Sequence, residues 1–272
     1  MLTFYQTIRL LCLQRGNSRM STVPSREKSS LPEGLQAKGK IVIAVDGPAA
    51  SGKGTLARKM AERLGYAYLD TGALYRAVAY ATLEMGGDPS QFVSVEPALA
   101  IIKKNLTPEL LDNPALRTPE VSEAASKVAA IPEVRLELLE YQREFAANPP
   151  GNVGGAVLDG RDIGTVICPN ANIKFFVTAT TEERARRRHK ELKDYYPELT
   201  LPSVLEDLKK RDQRDQSRKM APTIAADDAY VIDTTTMNAA ETLDEAVAVI
   251  RARFLEETND NGVKIGKRTA SP

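Results

Sequence analysis

The chain has 272 residues, of which 42% are hydrophobic and 27% charged, and its formal net charge is +1. These values suit one good-sized α/β domain with insertions and exclude a disordered or fibrous chain. The near-neutral charge gives no electrostatic reason to bind duplex nucleic acid or an anionic membrane, so a small phosphorylated ligand is expected. Cys12 and Cys168 lie far apart and lack metal-ligand spacing, which indicates a reducing compartment rather than a disulfide framework or a zinc site.

The first 39 residues differ in composition from the rest of the chain. They carry four arginines before the first acidic residue, Glu27, and end in a linker that contains serine, proline and glycine. We expect residues 1–39 to be a flexible or targeting extension, either a mitochondrial presequence or the result of a start assigned upstream of Met20. No apolar stretch is long enough to span a bilayer, so we expect a cytoplasmic protein, or a mitochondrial matrix protein if residues 1–38 are a presequence.

A glycine-rich loop separates an apolar run, Ile41 to Val45, from an amphipathic stretch, Leu56 to Leu64. This order predicts a strand, a loop and a helix. Glycines at both ends let the loop turn its backbone N–H groups inward, and the helix start adds unpaired N–H groups and the positive end of a dipole. The loop is therefore predicted to bind phosphate oxygens, and it consists of Gly47, Pro48, Ala49, Ala50, Ser51, Gly52, Lys53, Gly54 and Thr55.

Within this loop Lys53 supplies a point charge for the β- and γ-phosphates of a nucleotide. In the usual form of the loop Ser or Thr follows the lysine directly, whereas here Gly54 intervenes and the hydroxyl of Thr55 arrives one position later. This Gly-Lys-Gly-Thr variant resembles the nucleoside monophosphate kinases. A GTPase would normally carry an Asn-Lys-x-Asp element that reads guanine, and no such tetrapeptide occurs in the sequence.

After the loop, strand and helix patterns alternate, which predicts a parallel central sheet with helices on both faces. Ligands of such sheets gather beyond the carboxyl ends of the strands. Residues 105–117 are predicted to be a connector and residues 257–272 a polar tail. The predicted strands are 66–69, 156–158, 173–177 and 230–232, and the predicted helices are 73–85, one beginning after Thr118, one after Pro132, and 239–255.

Arginines recur at the predicted strand ends and in helices that should face the loop. Transfer of a phosphoryl group to an acceptor that is itself a phosphate brings several negative oxygens together, and arginines offset that repulsion with paired hydrogen bonds. Positioning and electrostatics can carry such a transfer, so no general base is required. The residues concerned are Arg76, Arg135, Arg161 and the segment Arg211 through Arg218, whose helix is predicted to end at Met220-Ala221-Pro222 and to act as a lid.

The predicted helix from Glu182 to Lys193 is also rich in arginine, and two interpretations are open. Its charges are either solvated on an outer face or directed in part at the nucleotide. Arg184, Arg187 and Arg188 share one helical face, so we expect one or two of them to reach the nucleotide. His189, the only histidine, is predicted to be solvated rather than a catalytic base, which excludes histidine-based triads.

Four motifs occur in order along the chain, and a helix with the sequence EAASKVAAIPEVR lies between the second and the third. The motifs are GPAASGKGT at Gly47, DTGALYR at Asp70, DGRDIGTV at Asp159 and RDQRDQSR at Arg211. On these motifs the sequence, from about Ile41 to Leu255, resembles bacterial-type cytidylate kinase.

The resemblance implies an α/β fold of the three-layer P-loop NTPase type, with a kinase domain over residues 40–256. Within it the resemblance implies a short NMP-binding insertion at about 86–147 and a helical lid at about 195–225. The span 88–121 is shorter than in the longer bacterial members, which carry a small β-rich insertion there.

The resemblance also implies transfer of the γ-phosphoryl group of ATP to CMP or dCMP, with ATP on the loop Gly47 to Thr55 and beside Arg188. Asp162 can accept a hydrogen bond from the exocyclic amine of cytosine, a contact that the carbonyl of uracil cannot return. The residues implied to border the acceptor phosphate are Thr71, Tyr75 and Arg76, and those implied to read cytosine are Ser126, Arg135 and Asp162.

By the same resemblance Arg161 clamps the α-phosphate, and the lid contributes ribose and phosphate contacts from Arg211, Asp215 and Arg218. The implied catalytic residues are Lys53, Arg161, Arg211 and Arg218.

Asp159 follows an apolar strand and allows two interpretations. It either orients the shell of a Mg²⁺ ion, for which Thr55 is the second candidate ligand, or caps the following turn. We expect ATP and Mg²⁺ as cofactors, CMP or dCMP as the small-molecule substrate, and a monomer. Two alternatives stay open at this point: a kinase for UMP or AMP on the same scaffold, and a nucleotide-binding module without catalysis.

Overall fold

The computed structural model describes residues 40–259, so the predictions for residues 1–39 and for the tail beyond residue 259 lie outside the described residues. Within that range five strands form one parallel sheet in the order β2-β3-β1-β4-β5, which confirms the predicted parallel sheet. The strands are β1 (Ile41–Asp46), β2 (Ala67–Asp70), β3 (Gly155–Asp159), β4 (Ile173–Thr178) and β5 (Tyr230–Asp233).

Every strand runs one residue beyond the apolar stretch that predicted it. The pairing of the backbone does not depend on side-chain polarity, so the ladder continues to a polar residue where the apolar pattern has already stopped. The parallel register aligns Asp159 with Val45 on one side and with Asp70 on the other. Carboxylates therefore collect at the carboxyl edge of the sheet, and the terminal residues are Asp46, Asp70, Asp159, Thr178 and Asp233.

Helices cover both faces of the sheet, as predicted. One face packs the β1 and β4 side chains against the helices at 53–64 and 239–259, and the other packs Ala44 and Leu158 against the helix at 132–147. The last helix continues to Asn259, beyond its predicted end. The helices are α1 (Lys53–Leu64), α2 (Thr71–Glu84), α3 (Phe92–Lys104), α4 (Pro108–Leu111), α5 (Pro119–Val128), α6 (Pro132–Ala147), α7 (Thr181–Leu192), α8 (Leu201–Gln216) and α9 (Ala239–Asn259).

The region between β2 and β3 has its own helical core, built by α2 to α6. Residues 86–147 contain no strand, so the β-rich insertion of the longer members is absent from this described segment. The prediction of a plain connector at 105–117 is wrong, because this segment forms α4 and a 3₁₀ helix at Pro114–Arg117. Each begins with a proline after a capping side chain: Thr107 accepts a hydrogen bond from Leu110 N at 3.2 Å, and Asn113 from Ala115 N at 2.8 Å.

The region predicted to be a lid, about 195–225, contains α8, which packs together with α7 onto Ala49 of the loop through Ala185, Val204 and Leu208. The prediction that Pro222 ends α8 is wrong, because the helix stops at Gln216. The chain folds back after the helix, and Thr223 N donates to the Asp215 carbonyl at 3.0 Å. Across residues 40–259 no helix combines the length and the apolar character that a membrane crossing requires.

Two leucines on α6 test the helical core, because Leu138 is 1% exposed and Leu136 is 67% exposed. Replacing Leu138 with alanine leaves a cavity, so Leu138→Ala should lower the free energy of unfolding by about 2–5 kcal/mol. Leu136→Ala is the matched control and should change it by less than about 0.5 kcal/mol. Urea unfolding followed by circular dichroism measures both, and equal losses would contradict the assigned core.

Candidate active site

The glycine-rich loop lies against the carboxyl end of β4, and this contact explains its first glycine. Gly47 has φ 146°, and a Cβ at this position would lie 2.0 Å from the Val177 carbonyl oxygen. At the other end Gly52 has φ 88° and is the N-cap of α1. The loop therefore delivers the first N–H groups of α1, with Lys53 as its first residue, to the carboxyl edge of the sheet, as the sequence predicts.

Lys53 and Asp159 face each other across this edge. The Lys53 Nζ lies 3.8 Å from Asp159 Oδ1 and donates to the Pro48 carbonyl at 3.4 Å. Burial lowers the pKa of Lys53 to about 8 and raises the pKa of Asp159. The attraction between the two charges acts in the opposite direction on each pKa, and the effect of burial is the larger one. A Cβ on Gly54 would lie 2.9 Å from Asp159 Oδ2, so this carboxylate explains why glycine follows the lysine here.

A cleft of about 240 Å³ opens at this edge between the loop, helices α7 and α8, and the helical region between β2 and β3. Its lining is strongly polar, and cations outnumber carboxylates among the residues that border it. The eight cations are Lys53, Arg76, Arg117, Arg135, Arg161, Arg188, Arg211 and Arg218, and the five carboxylates are Asp70, Asp159, Asp162, Glu191 and Asp215.

Asp215 on α8 organises the lid side of the cleft. Its buried carboxylate lies 3.4 Å from Arg161 Nε and 3.8 Å from Arg211 Nε, accepts a hydrogen bond from Arg218, and accepts another from Ser126 Oγ at 3.0 Å. Burial would raise the pKa of Asp215, but the three guanidinium groups outweigh it and hold the pKa below its ordinary value. One carboxylate thus joins residues of the lid, of α5 and of the segment after β3.

The opposite wall holds the residues that the resemblance assigns to the acceptor nucleotide. Arg135 forms a buried ion pair with Asp162, and its guanidinium carbon lies 5.6 Å from the centre of the Tyr75 ring. Arg76 pairs with Asp70 at 2.6 Å. The pairing of Arg135 with Asp162 sets the direction of that carboxylate and leaves its other oxygen available to a further donor.

The hydroxyl of Thr71 is already engaged, because it donates to the Asp159 carbonyl at 2.8 Å. Thr71 nevertheless borders the cleft, next to Gly72 and Tyr75. Ser126 borders it as well, from α5.

Some predicted binding residues do not border the cleft. Within the loop Ala49, Ala50, Lys53 and Gly54 line it, whereas Thr55 is exposed and lies outside the lining. Four further loop residues, Gly47, Pro48, Ser51 and Gly52, shape the loop without lining the cleft.

Among the three arginines on one face of α7, Arg188 borders the cleft, where it pairs with Glu191 at 2.8 Å. Arg184 is buried and donates to the Ala49 carbonyl at 3.2 Å, and it also pairs with Asp212 of α8 at 2.7 Å. It therefore supports the loop from behind and joins it to the lid.

Arg187 and His189 of the same helix make structural contacts. Arg187 donates to the Thr234 hydroxyl at 2.9 Å, and that hydroxyl donates to the Ser51 carbonyl of the loop at 2.9 Å. The prediction of a solvated His189 is wrong: the ring is half-buried, and its Nε2 lies 2.9 Å from the Leu199 carbonyl oxygen. This contact ties α7 to the chain that precedes α8.

No role was predicted from the sequence for two carboxylates at this edge: Asp46, and Asp70 at the start of the second motif. Asp70 caps α2 by accepting from Ala73 N at 3.1 Å, and it holds Arg76 at the cleft. Asp46 accepts hydrogen bonds from two buried backbone N–H groups. The signal that could have found both is an aspartate placed directly after an apolar strand.

Comparison with known proteins decides the family. The family model for cytidylate kinase matches residues 43–252. The chain belongs to the cytidylate kinase family. This confirms the resemblance seen in the motifs and the predicted P-loop kinase fold, and the site described above is that of a cytidylate kinase family member.

Relatives with this name match almost their full length. Cytidylate kinase of Paramagnetospirillum magneticum is 49% identical over 212 residues, which are 78% of this chain and 98% of that protein. Those of Rhodospirillum rubrum and Xanthobacter autotrophicus are 50% identical over 210 residues and 51% identical over 213 residues, and cover 77% and 78% of this chain and 97% and 98% of those proteins.

The pKa of Lys53 near 8 generates a pH prediction. The kcat/KM for ATP reports ionisations of the free enzyme, so it should fall as the pH rises through about 8, because the neutral amine no longer attracts phosphate. The kcat/KM for CMP at saturating ATP is the control: ATP then covers Lys53, and the fall should be absent near this pH. Rates measured from about pH 6.5 to 10 test this, and identical profiles for the two substrates would contradict the assignment.

Proposed function

We propose that the protein transfers the γ-phosphoryl group of ATP to CMP or dCMP, giving ADP and CDP or dCDP. Membership of the cytidylate kinase family supports this activity. The observation that carries the proposal is a single cleft, bordered on one side by Lys53 of the glycine-rich loop and on the other by the buried Arg135 and Asp162 pair. A phosphate site and a site suited to a base thus border the same cleft, which allows the phosphates of the two nucleotides to be held next to each other for transfer.

On the donor side we assign ATP to the loop from Gly47 to Thr55 and to Arg188. The backbone N–H groups at the start of α1 donate to phosphate oxygens, and Lys53 adds its charge. Arg188 reaches the same cleft from α7. Binding of a phosphate beside Lys53 stabilises its charged form, so the burial that lowers the pKa of the free lysine is offset once ATP is present.

The residues at this edge fit a Mg²⁺ ion that arrives with ATP. Mg²⁺ is usually held by one or two carboxylates together with phosphate oxygens and water, and within residues 40–259 no group of three metal-binding side chains is found. Asp159, buried beside Lys53, is the carboxylate that we assign to it, directly or through water. Thr55, which is exposed, stays a prediction as the second ligand. When bound, the ion neutralises charge on the transferred phosphate.

On the acceptor side we assign cytosine to Ser126, Arg135 and Asp162. The Asp162 oxygen not engaged by Arg135 can accept a hydrogen bond from the exocyclic amine of cytosine. The carbonyl of uracil has no proton to donate and would leave a buried carboxylate facing an oxygen, which is costly. We assign the acceptor phosphate to Arg76, with Thr71 and Tyr75 beside it.

During transfer three arginines stabilise the negative charge of the phosphates. We assign Arg161, Arg211 and Arg218 to the phosphates, where they stabilise the charge that spreads over the transferred group. In the described structure these three side chains share Asp215, so phosphates that enter the cleft compete with that carboxylate for them. Asp215 then keeps free acceptor oxygens for the ribose hydroxyls.

The cellular setting stays a prediction. We propose a cytoplasmic monomer, with the mitochondrial matrix as the alternative location if residues 1–38 are a presequence.

A coupled assay of ADP release with CMP, dCMP, UMP and AMP tests the acceptor. CMP and dCMP should be the best acceptors, because cytosine is the one pyrimidine among these bases that carries an exocyclic amine for Asp162. Uracil has a carbonyl in its place, and adenine carries its amine on a larger purine. Turnover of AMP equal to or better than that of CMP would contradict the base assignment. Binding of ATP without ADP release in the presence of every acceptor would favour the module without catalysis.

Arg161→Ala tests the clamp on the phosphates. It should lower kcat by about 10³-fold or more, because an arginine at the transferred group stabilises the transition state. The affinity for ATP, measured by calorimetry, should stay within about threefold, because Lys53 and the loop are unchanged. Arg186→Ala is the control, since Arg186 is an exposed arginine on α7 paired with Glu183. Full activity of the Arg161 variant, or an equal loss in the control, would contradict the role.

A further inference from the structure

Asp46 is buried at the end of β1, only 4% exposed, and does not border the cleft. Its two carboxylate oxygens are used separately: Oδ1 accepts from Ile163 N at 2.8 Å, and Oδ2 from Gly164 N at 2.8 Å. Both N–H groups belong to the segment that follows β3. A single side chain thus satisfies two buried backbone donors that have no other partner in the ladder of the sheet.

The same segment is held at a third point on β1, because Gly160 N donates to the Val45 carbonyl at 3.0 Å. Between these anchors lie Arg161 and Asp162, whose charged side chains border the cleft. The hydrogen bonds on either side restrict the backbone conformation of these two residues. The Arg161 side chain is directed at Asp215, and the Asp162 side chain at Arg135.

A buried carboxylate at the position of Asp46 lowers the stability of the fold. It forms no ion pair with any lysine or arginine of the described residues, and the nearby Lys174 pairs instead with Asp228 at 2.8 Å. Burial raises the pKa of Asp46 to about 7, against the two N–H groups that lower it, and the charges of Asp162 and Asp159 add to the rise. A buried carboxylate whose neighbours are also acidic costs stability, so packing alone does not account for it.

We propose that Asp46 is a positioning residue for the phosphorylation of CMP: it holds the 160–164 segment so that Arg161 and Asp162 face the acceptor nucleotide. The inference rests on the proposed function, because the two residues matter in this way only if CMP is the acceptor. Asp46 itself touches neither nucleotide. It acts through the two N–H groups of the segment, and a displacement of about 1 Å at a reacting group can cost as much as 10²-fold in rate.

Asp46→Asn tests the proposal with almost no change in shape. The amide keeps one acceptor oxygen but turns an NH₂ group toward the other N–H, so one anchor is lost. We expect the KM for CMP to rise by about tenfold or more and kcat to fall, while the KM for ATP changes by less than about twofold. A purely structural role would lower the folded fraction and leave both KM values unchanged, and this result would overturn the proposal.

Val45→Ala is the matched control. Val45 precedes Asp46 on β1, is fully buried in the core on the α1 side of the sheet, and offers its carbonyl whatever its side chain. The variant should lose stability but keep both KM values, which separates a loss of packing from a loss of anchoring. A rise in the KM for CMP equal to that of Asp46→Asn would count against a specific role for the carboxylate.

If Asp46→Asn does not fold, NMR of the wild-type protein tests whether Asp46 holds the 160–164 segment while CMP binds. The amide protons of Ile163 and Gly164 should show hydrogen-bonded shifts in the free protein and keep them when CMP is added, while the signals of Arg161 and Asp162 move. Loss of either hydrogen bond on addition of CMP would overturn the proposal. The two hypotheses fail separately: a wild-type protein that does not phosphorylate CMP refutes the proposed function, whereas normal CMP phosphorylation with an unchanged KM in Asp46→Asn refutes only this inference.

Discussion

The constraint on which the site depends is the balance of buried charge in one cleft. Arg161, Arg211 and Arg218 lie close enough to repel one another, and burial together with the neighbouring Arg161 lowers the pKa of Arg211 to about 10. Asp215 lies among them and makes their approach possible. With eight cations against five carboxylates, the cleft keeps an excess of positive charge. The negatively charged polyphosphate chain of a nucleotide would neutralise this excess.

The parallel sheet places this charge where it can act. Strand β3 lies between β1 and β2. The register therefore places Asp159, at the end of β3, between the end of β1, which leads into the glycine-rich loop, and Asp70 at the end of β2. Motifs that are far apart in the sequence therefore meet at one edge. Lys53 approaches Asp159 from the loop, and Arg76 is held by Asp70 from the next strand. Helix α8 is joined to the same edge through Arg184 of α7, which contacts both Ala49 and Asp212.

The parts of the structure that follow from local patterns were predictable. The apolar runs predicted the strands, and glycines on either side of Lys53 predicted the phosphate loop, because few other folds need such a backbone. The strand ends at Asp46 and Asp70 were missed, since an apolar criterion stops at the first polar residue although the backbone ladder continues. The distribution of arginine pointed to Arg161 and to the segment Arg211 through Arg218, whereas a separate role for Asp215 was implied only by the family resemblance.

Other features depend on contacts between distant segments and could not be read locally. The end of α8 depends on the fold-back that brings Thr223 to the Asp215 carbonyl, not on the proline that follows. His189 appears solvated in the sequence because its partner, the Leu199 carbonyl, lies ten residues further along the chain. The short helices at 108–111 and 114–117 are marked by their caps, Thr107 and Asn113, but proline and asparagine also mark connectors.

The central claim is that one positively charged cleft brings two phosphorylated nucleotides together, and a crystal structure with CMP and a non-hydrolysable ATP analogue tests it most directly. The account predicts the γ-phosphate of the analogue beside Lys53, the phosphate of CMP beside Arg76, and Arg161, Arg211 and Arg218 turned toward the oxygens between them. Nucleotides bound at separate places, or these guanidinium groups directed to bulk solvent, would contradict it.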